Sequence, residues 1–195
     1  IGDTNGVQDI FVRDVETGLV QSVSVDSVGR FTNQFHSQGC VLSADGRRVA
    51  WIVVTPGYYG SSSVHWRDLT TGETRVVSEM FANLGAYRYS RPAISADGRW
   101  VAYEASRPTH LIEPGVTDQN AGLDIILQDV EAGTNTVISR SVTGTTSGNN
   151  YSFGPRFSRD GRWLAFGSRA TNLTTNQNSI PPRLFVRDLL HHMTI

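Results

Sequence analysis

The sequence predicts an all-β fold: a β-propeller built of four-stranded antiparallel blades, about three and a half of them in 195 residues. Three observations lead there. The phrase "SADGRWVAY" (95–103) has near-copies in "SADGRRVAW" (43–51) and "SRDGRWLAF" (158–166). A second phrase alternates with it: "DIFVRD" (9–14), "SVHWRD" (63–68), "DIILQD" (124–129) and "RLFVRD" (183–188). Apolar and polar residues alternate along these phrases, and nothing in the unit sustains a helical period. Self-similarity on this scale marks a repeat architecture.

Each unit reads as four strands. Strand A precedes the Asp-Gly pair, as in "RPAIS" (91–95). Asp45-Gly46, Asp97-Gly98 and Asp160-Gly161 are hairpin signals, because both residue types tolerate the positive φ of a tight turn. Strand B is "RWVAY" (99–103), with Val101 and Tyr103 on one face and Trp100 and Ala102 on the other. Strand C is the "DIILQD" phrase. A Thr-Gly or Ala-Gly turn leads to strand D, "TNTVIS" (134–139). One such sheet cannot bury both faces, but sheets repeated about an axis cover each other.

The order along the chain is C-D, A-B-C-D, A-B-C-D and A-B-C with the start of a D. A single propeller region over 1–195 thus divides into a partial blade at 1–24, blades at 39–78 and 91–139, and a blade at 154–195 whose last strand is incomplete. Propellers usually close with 4 to 8 blades, so the chain reads as a fragment of a longer propeller or as a self-associating piece. Open sheet edges favour association.

The pattern S-x-D-G-R-x-V-A-[FWY], followed by D-I-F-V-R-D-x-x-T-G, resembles the repeats of TolB-like propellers, PD-type relatives of the WD-repeat proteins. The resemblance covers essentially the whole chain. It departs locally: Cys40 stands where the other units have Pro92 and Pro155, and Ser63 where they have Asp9 and Asp124. The Gly-His and Trp-Asp signature of WD repeats is absent. The resemblance implies a bacterial protein of the cell envelope, periplasmic or extracellular, that works through protein contacts; a cytoplasmic location also stays open.

Composition narrows the partners. A net charge of -1 gives no reason to expect nucleic acid, and no apolar run reaches the roughly 20 residues of a membrane span. One cysteine, Cys40, excludes an intrachain disulfide and zinc sites built on paired cysteines.

In a four-strand meander the short A–B and C–D turns share one end of the sheets. The longer B–C and D–A loops share the other, and long loops carry function more often. That end is rich in rings: Phe31, Phe35, Tyr58, Tyr59, Phe81, Tyr87, Tyr89, Tyr151 and Phe153, with His36, Arg88, His110, Asn149 and Asn150. Tyr and Arg are favoured at binding hot spots. The candidate ligand-binding set is Tyr58, Tyr59, Tyr87, Arg88, Tyr89, Tyr151 and His36; the competing role for each ring is packing between blades.

Two stretches, "DTNGVQD" (3–9) and "DQNAGLD" (118–124), repeat an Asp-x-Asn-x-x-x-Asp spacing that resembles part of a calcium loop. Candidate ligands are Asp3, Asn5 and Asp9, and Asp118, Asn120 and Asp124. The acidic residue at the twelfth loop position is missing, and ordinary Asx-turn chemistry at the entry to strand C is the favoured account of the pattern. No cofactor is otherwise implied.

No nucleophile elbow, zinc-protease helix, P-loop or dinucleotide fingerprint is present. His191 and His192 read as opposite sides of a strand, unable to share a metal. The expected function is a non-catalytic binding or scaffold propeller that recognises a protein or other macromolecule through the long-loop face. The alternatives are a propeller portion of a larger enzyme, such as a prolyl-oligopeptidase-like peptidase, and a propeller hydrolase or lyase.

Overall fold

Each Asp-Gly phrase closes a hairpin, and each hairpin opens a four-stranded sheet. The computed structural model describes residues 4–26, 29–31, 34–55, 61–78, 91–106, 113–175 and 182–195. Strands β1 (Phe11–Arg13) and β2 (Val20–Ser22) pair as the C–D half of a blade. The next sheet is β3 (His36–Leu42), β4 (Arg48–Val54), β5 (Ser62–Asp68) and β6 (Thr74–Val76). The third is β7 (Ala93–Ile94), β8 (Trp100–Ser106), β9 (Leu123–Asp129) and β10 (Thr134–Val137). The fourth is β11 (Ser152–Phe157), β12 (Trp163–Ser168), β13 (Arg183–Asp188) and β14 (Met193–Thr194). Strands neighbour one another in chain order and all pairs are antiparallel, so every full sheet is a simple meander.

The A–B hairpin differs in detail from the sequence expectation. Only its glycine is left-handed: φ is +70° at Gly46, +72° at Gly98 and +73° at Gly161. The loop has four residues, closed by a turn in which Gly46 N–H donates to Ser43 O (3.0 Å). Such a turn needs negative φ at Asp45 and frees its side chain for another task. The Asp45 carboxylate accepts from the Ser43 hydroxyl (2.5 Å) and the Arg47 N–H (3.0 Å), and Ser43 Oγ accepts from Arg48 N–H (2.9 Å). The same three bonds recur around Asp97 and Asp160. The repeated Ser-x-Asp-Gly-Arg is therefore a self-contained turn.

Strand A carries a bulge in two blades. Register shifts between Gln38 and Val41 and between Phe153 and Arg156, where Gly39 and Gly154 take positive φ. Pro155 is tolerated there because a bulge leaves one residue outside the ladder; Cys40 occupies the same place and is exposed.

Three apolar layers lie between successive sheets. Ile10, Val23, Val49 and Trp51 join the first two. Trp66, Val77, Val101, Tyr103, Ile126 and Val137 join the second and third. Ile125, Leu127, Ile138, Leu164, Phe166 and Phe185 join the third and fourth. Along β8 the alternation holds: Val101 and Tyr103 face one neighbour, Ala102 the other. Burying a large aliphatic or aromatic side chain stabilises by roughly 1.5–3 kcal/mol, so these layers orient the blades.

Candidate functional site

The long-loop end of the described structure is built best between the third and fourth sheets. Residues 113–122 follow strand B and residues 140–151 follow strand D, and the two stretches zip together. Thr117 bridges Thr146, with Thr117 N–H on Thr145 O (3.0 Å) and Ser147 N–H on Thr117 O (2.9 Å). Gln119 N–H donates to Ser147 Oγ (3.1 Å), and Arg140 pairs with Glu113. The Asn120 amide donates to Gly148 O. Beyond the zip, Asn149 clasps Thr171: its Oδ1 accepts from Thr171 N–H (2.8 Å) and its Nδ2 donates to Thr171 Oγ1 (2.8 Å). Polar side chains thus satisfy the loop backbone where no strand does.

Of the sequence-derived binding set, Tyr151 and His36 are described. Tyr151 is half-buried at the end of the zipped loop, tilted against Phe153 at 6.0 Å between ring centroids, with the Arg169 guanidinium 5.6 Å from its ring. Asn149, Asn150, Phe153 and Arg169 around it are exposed. His36 begins β3 at the same end of its own sheet, half-buried, and its Nδ1 accepts from Gln8 N–H (3.2 Å). Tyr58, Tyr59, Tyr87, Arg88 and Tyr89 lie outside the described residues, as do Phe81 and His110.

The candidate calcium ligands are engaged in local bonds. Asn5 Oδ1 accepts from Val7 N–H (3.0 Å) and its amide donates to Asp9 Oδ2 (2.7 Å). Asp118 Oδ1 accepts from the N–H groups of Asn120 (3.0 Å) and Ala121 (3.3 Å). Asp9 and Asp124 share a second role that sequence reading did not find. Each accepts from a serine at the end of strand D, Ser24 or Ser139 (2.6 Å in both), whose oxygen in turn accepts from Ile10 or Ile125 N–H. Ser78 binds Val64 N–H in the same way where Ser63 replaces the acid. The recurring Ser at 24, 78 and 139 was the available signal. Burial pushes the Asp124 carboxyl up to about 7, against the hydroxyls of Ser139 and Ser147 and with the Asp118 charge adding to the rise. Among the described residues no three His, Cys, Asp or Glu side chains gather as a metal site; Asp3 lies outside them.

A Ser–His contact does occur. Ser63 Oγ is 2.9 Å from His65 Nε2. Ser63 is buried, and burial lowers the imidazole to about 4. Among the described residues no carboxylate pairs with His65, so the contact lacks the exposed nucleophile and orienting acid of a hydrolase.

At the opposite end, the two repeated phrases meet. Arg47, Arg99 and Arg162, each following the hairpin glycine, reach Asp68, Asp129 and Asp188 at the end of strand C, at 2.9, 2.5 and 2.6 Å. Each Asp also caps the C–D turn through two N–H groups, those of Thr70 and Thr71 for Asp68. Arg99 holds the Asp129 carboxyl below the usual range, and Arg162 does so for Asp188. His191 and His192 lie in the last C–D turn rather than on a strand. His191 Nδ1 contacts Asp188 Oδ2 (2.8 Å), and His192 takes φ +54°.

No protein-family model matches the chain, and no curated protein matches it. Solved structures do. The chain is similar to TolB from Acinetobacter baumannii, at 15% identity and TM-score 0.54, over 95% of this chain and 36% of that one. It is similar to a prolyl endopeptidase at 15% identity and TM-score 0.60, over 95% of this chain and 25% of that one. An oligogalacturonate lyase in complex with manganese matches at 12% identity and TM-score 0.58, over 96% of this chain and 46% of that one. In each case the chain spans less than half of the matched chain. At such identities the likeness is one of fold: the chain has the architecture of a TolB-like β-propeller, with about three and a half blades of it.

Proposed function

We propose that this chain is a non-catalytic recognition propeller, an exported bacterial scaffold that binds a protein partner through its long-loop end. The observation that carries the reading is the zip between 113–122 and 140–151. It fixes a ring-rich, polar surface of Tyr151, Phe153, Arg169, Asn149 and Asn150 on ordered backbone. A fixed surface with an aromatic anchor and adjacent amides suits macromolecular contact, since little entropy is lost on binding. His36 extends the same end on the neighbouring sheet. Tyr58, Tyr59, Tyr87, Arg88 and Tyr89 belong to the same proposed surface by their place in the B–C and D–A loops.

The test is crosslinking in envelope extracts of the source organism with wild type, Tyr151→Ala and a control at the turn end, Arg159→Ala. Loss of the captured species in the Tyr151 variant alone supports the reading. Equal capture by all three removes it. A second reading, the propeller of a larger peptidase or lyase, draws on the similarity to the prolyl endopeptidase and the lyase. An α/β-hydrolase domain encoded in the same reading frame would favour that reading over the scaffold.

A further inference from the structure

The space between the second and third sheets is filled by three long side chains; the equivalent space between the third and fourth is hollow. Register makes the positions comparable. Ala50 pairs with Trp66 and Trp66 with Arg75, as Ala102 pairs with Leu127 and Leu127 with Thr136. Arg48 and Trp100 correspond in the same way, opposite Asp68 and Asp129. In the filled interface Trp66 Nε1–H donates to Gly98 O (2.8 Å), Arg48 donates to Asp97 O and Arg75 donates to Val130 O. A Cβ added to Gly98 would run into Arg48.

In the next interface Trp66 is replaced by Leu127, Arg75 by Thr136 and Arg48 by Trp100. The carbonyls of Asp160, Gly161 and Leu189, counterparts of Asp97, Gly98 and Val130, receive no hydrogen bond from the described residues. A Cβ at Gly161 would meet nothing within 4 Å. A cavity of about 390 Å³ lies here, walled by Trp100, Leu127, Ile138 and Leu189 and rimmed by Asp160, Gly161 and Arg162. That is ample for a bicyclic ring and lies within the roughly 300–1,000 Å³ of ligand pockets.

The walls also select charge. Arg187 lines the cavity, is 8% exposed and makes one hydrogen bond, to Thr194 Oγ1 (3.0 Å). Arg162, at the rim, is paired with Asp188 and shares that rim with the Asp160 carboxylate. The buried Arg187 guanidinium disfavours a second guanidinium buried next to it, so an incoming arginine is a poor substitute for Arg75. A neutral ring with one N–H donor fits: its apolar faces meet Trp100 and Leu127, a guanidinium can face its π system, and its N–H has open carbonyls.

We propose that this cavity binds the indole ring of a tryptophan presented by a partner polypeptide, seated as Trp66 is seated one interface earlier, with its N–H on Gly161 O. The site lies at the short-turn end, away from the surface proposed above, so the two readings stand or fall separately.

The experiment titrates the protein with N-acetyl-tryptophanamide and follows the Trp100 indole resonance. Saturable binding is expected. The 1-methyl-indole analogue, which lacks the donor, should bind about tenfold more weakly, the equivalent of one hydrogen bond. Leu127→Trp should fill the cavity from within, abolish binding and raise the melting temperature. Thr136→Met, which narrows the cavity without adding charge, should also abolish binding and serves if Leu127→Trp does not fold. Absence of saturable binding to wild type, equal affinity for the methylated analogue, or unchanged binding by the filling variants overturns the proposal.

Discussion

Arg99 clamps Asp129 across two turns of one blade: its Nε lies 3.1 Å from both carboxylate oxygens. Asp129 simultaneously accepts from the N–H groups of Glu131 and Ala132 (3.0 and 3.1 Å). One buried carboxylate therefore closes the C–D turn and pins the A–B hairpin over it.

The two partners should be unequal in mutation. Asp129→Ala strands two turn N–H groups and a guanidinium, and is expected to cost about 2–4 kcal/mol in denaturant unfolding. Arg99 is 42% exposed at its side chain, so solvent screening makes the loss from Arg99→Ala clearly the smaller of the two. Equal, small losses for both would show that the carboxylate is not the organising group.

Much of this was legible in the sequence. Period-2 alternation placed strands B and C, and Gly46, Gly98 and Gly161 located their hairpins. The pairing of Arg99 with Asp129 was not, because it depends on the register that sets Trp100 opposite Asp129. Its trace was there: an Arg after each hairpin Gly and an Asp closing each strand C. The hollow beside Leu127 was invisible for a different reason. Trp66 and Leu127 are both apolar at the same repeat position, and their difference matters only once the facing turn is known. The zip of 113–122 on 140–151 rests on irregular side-chain to backbone bonds, such as Asn120 on Gly148, that follow no period.

Asp124 should make stability fall as pH rises. Its folded pKa of about 7 stands above an unfolded value near 3.9. Between the two the folded chain binds more protons, so this group's contribution is fully present below about 4 and lost as pH climbs through about 7. The loss is on the order of a few kcal/mol. Asp124→Asn keeps an acceptor for Ser139 and carries no charge. Urea unfolding from pH 5 to 8 should show the wild-type decline and its absence in the variant. Asp129 and Asp188 have lowered values and act in the other direction, only under acidic conditions.

His192 occupies a position that glycine holds in every other C–D turn. Asp14, Asp68 and Asp129 are each followed four residues later by Gly18, Gly72 and Gly133 at φ of +69° to +76°; Asp188 is followed by His192 at +54°. A side chain with a Cβ is strained there by roughly 1–2 kcal/mol. His192→Gly is expected to raise stability by about 1 kcal/mol, and Gly133→Ala to lower it by a similar amount. A destabilised His192→Gly would mean that the imidazole makes a contact worth more than the backbone strain.

Among the described residues nothing packs on one face of the last sheet, and Leu184 measures the consequence. Its counterparts at the second position of strand C, Ile10, Val64 and Ile125, are 7%, 7% and 0% exposed, whereas Leu184 is 76% exposed. Ile195, paired through its backbone with Val186 on the same sheet, is 67% exposed. In the interior sheets this face meets another blade, so the shape and chemistry it presents suit a blade. In a solution of these 195 residues alone the available blades belong to other copies. Self-association is therefore expected, rising with concentration and insensitive to salt, because the contact is apolar. Sedimentation velocity on wild type and Leu184→Asp tests it: the variant should shift toward monomer at every concentration, while its unfolding free energy, measured dilute, stays within about 0.5 kcal/mol of wild type because the residue is exposed. If wild type sediments as a monomer at all concentrations, or if Leu184→Asp associates as wild type does, the open face is not a contact surface between copies.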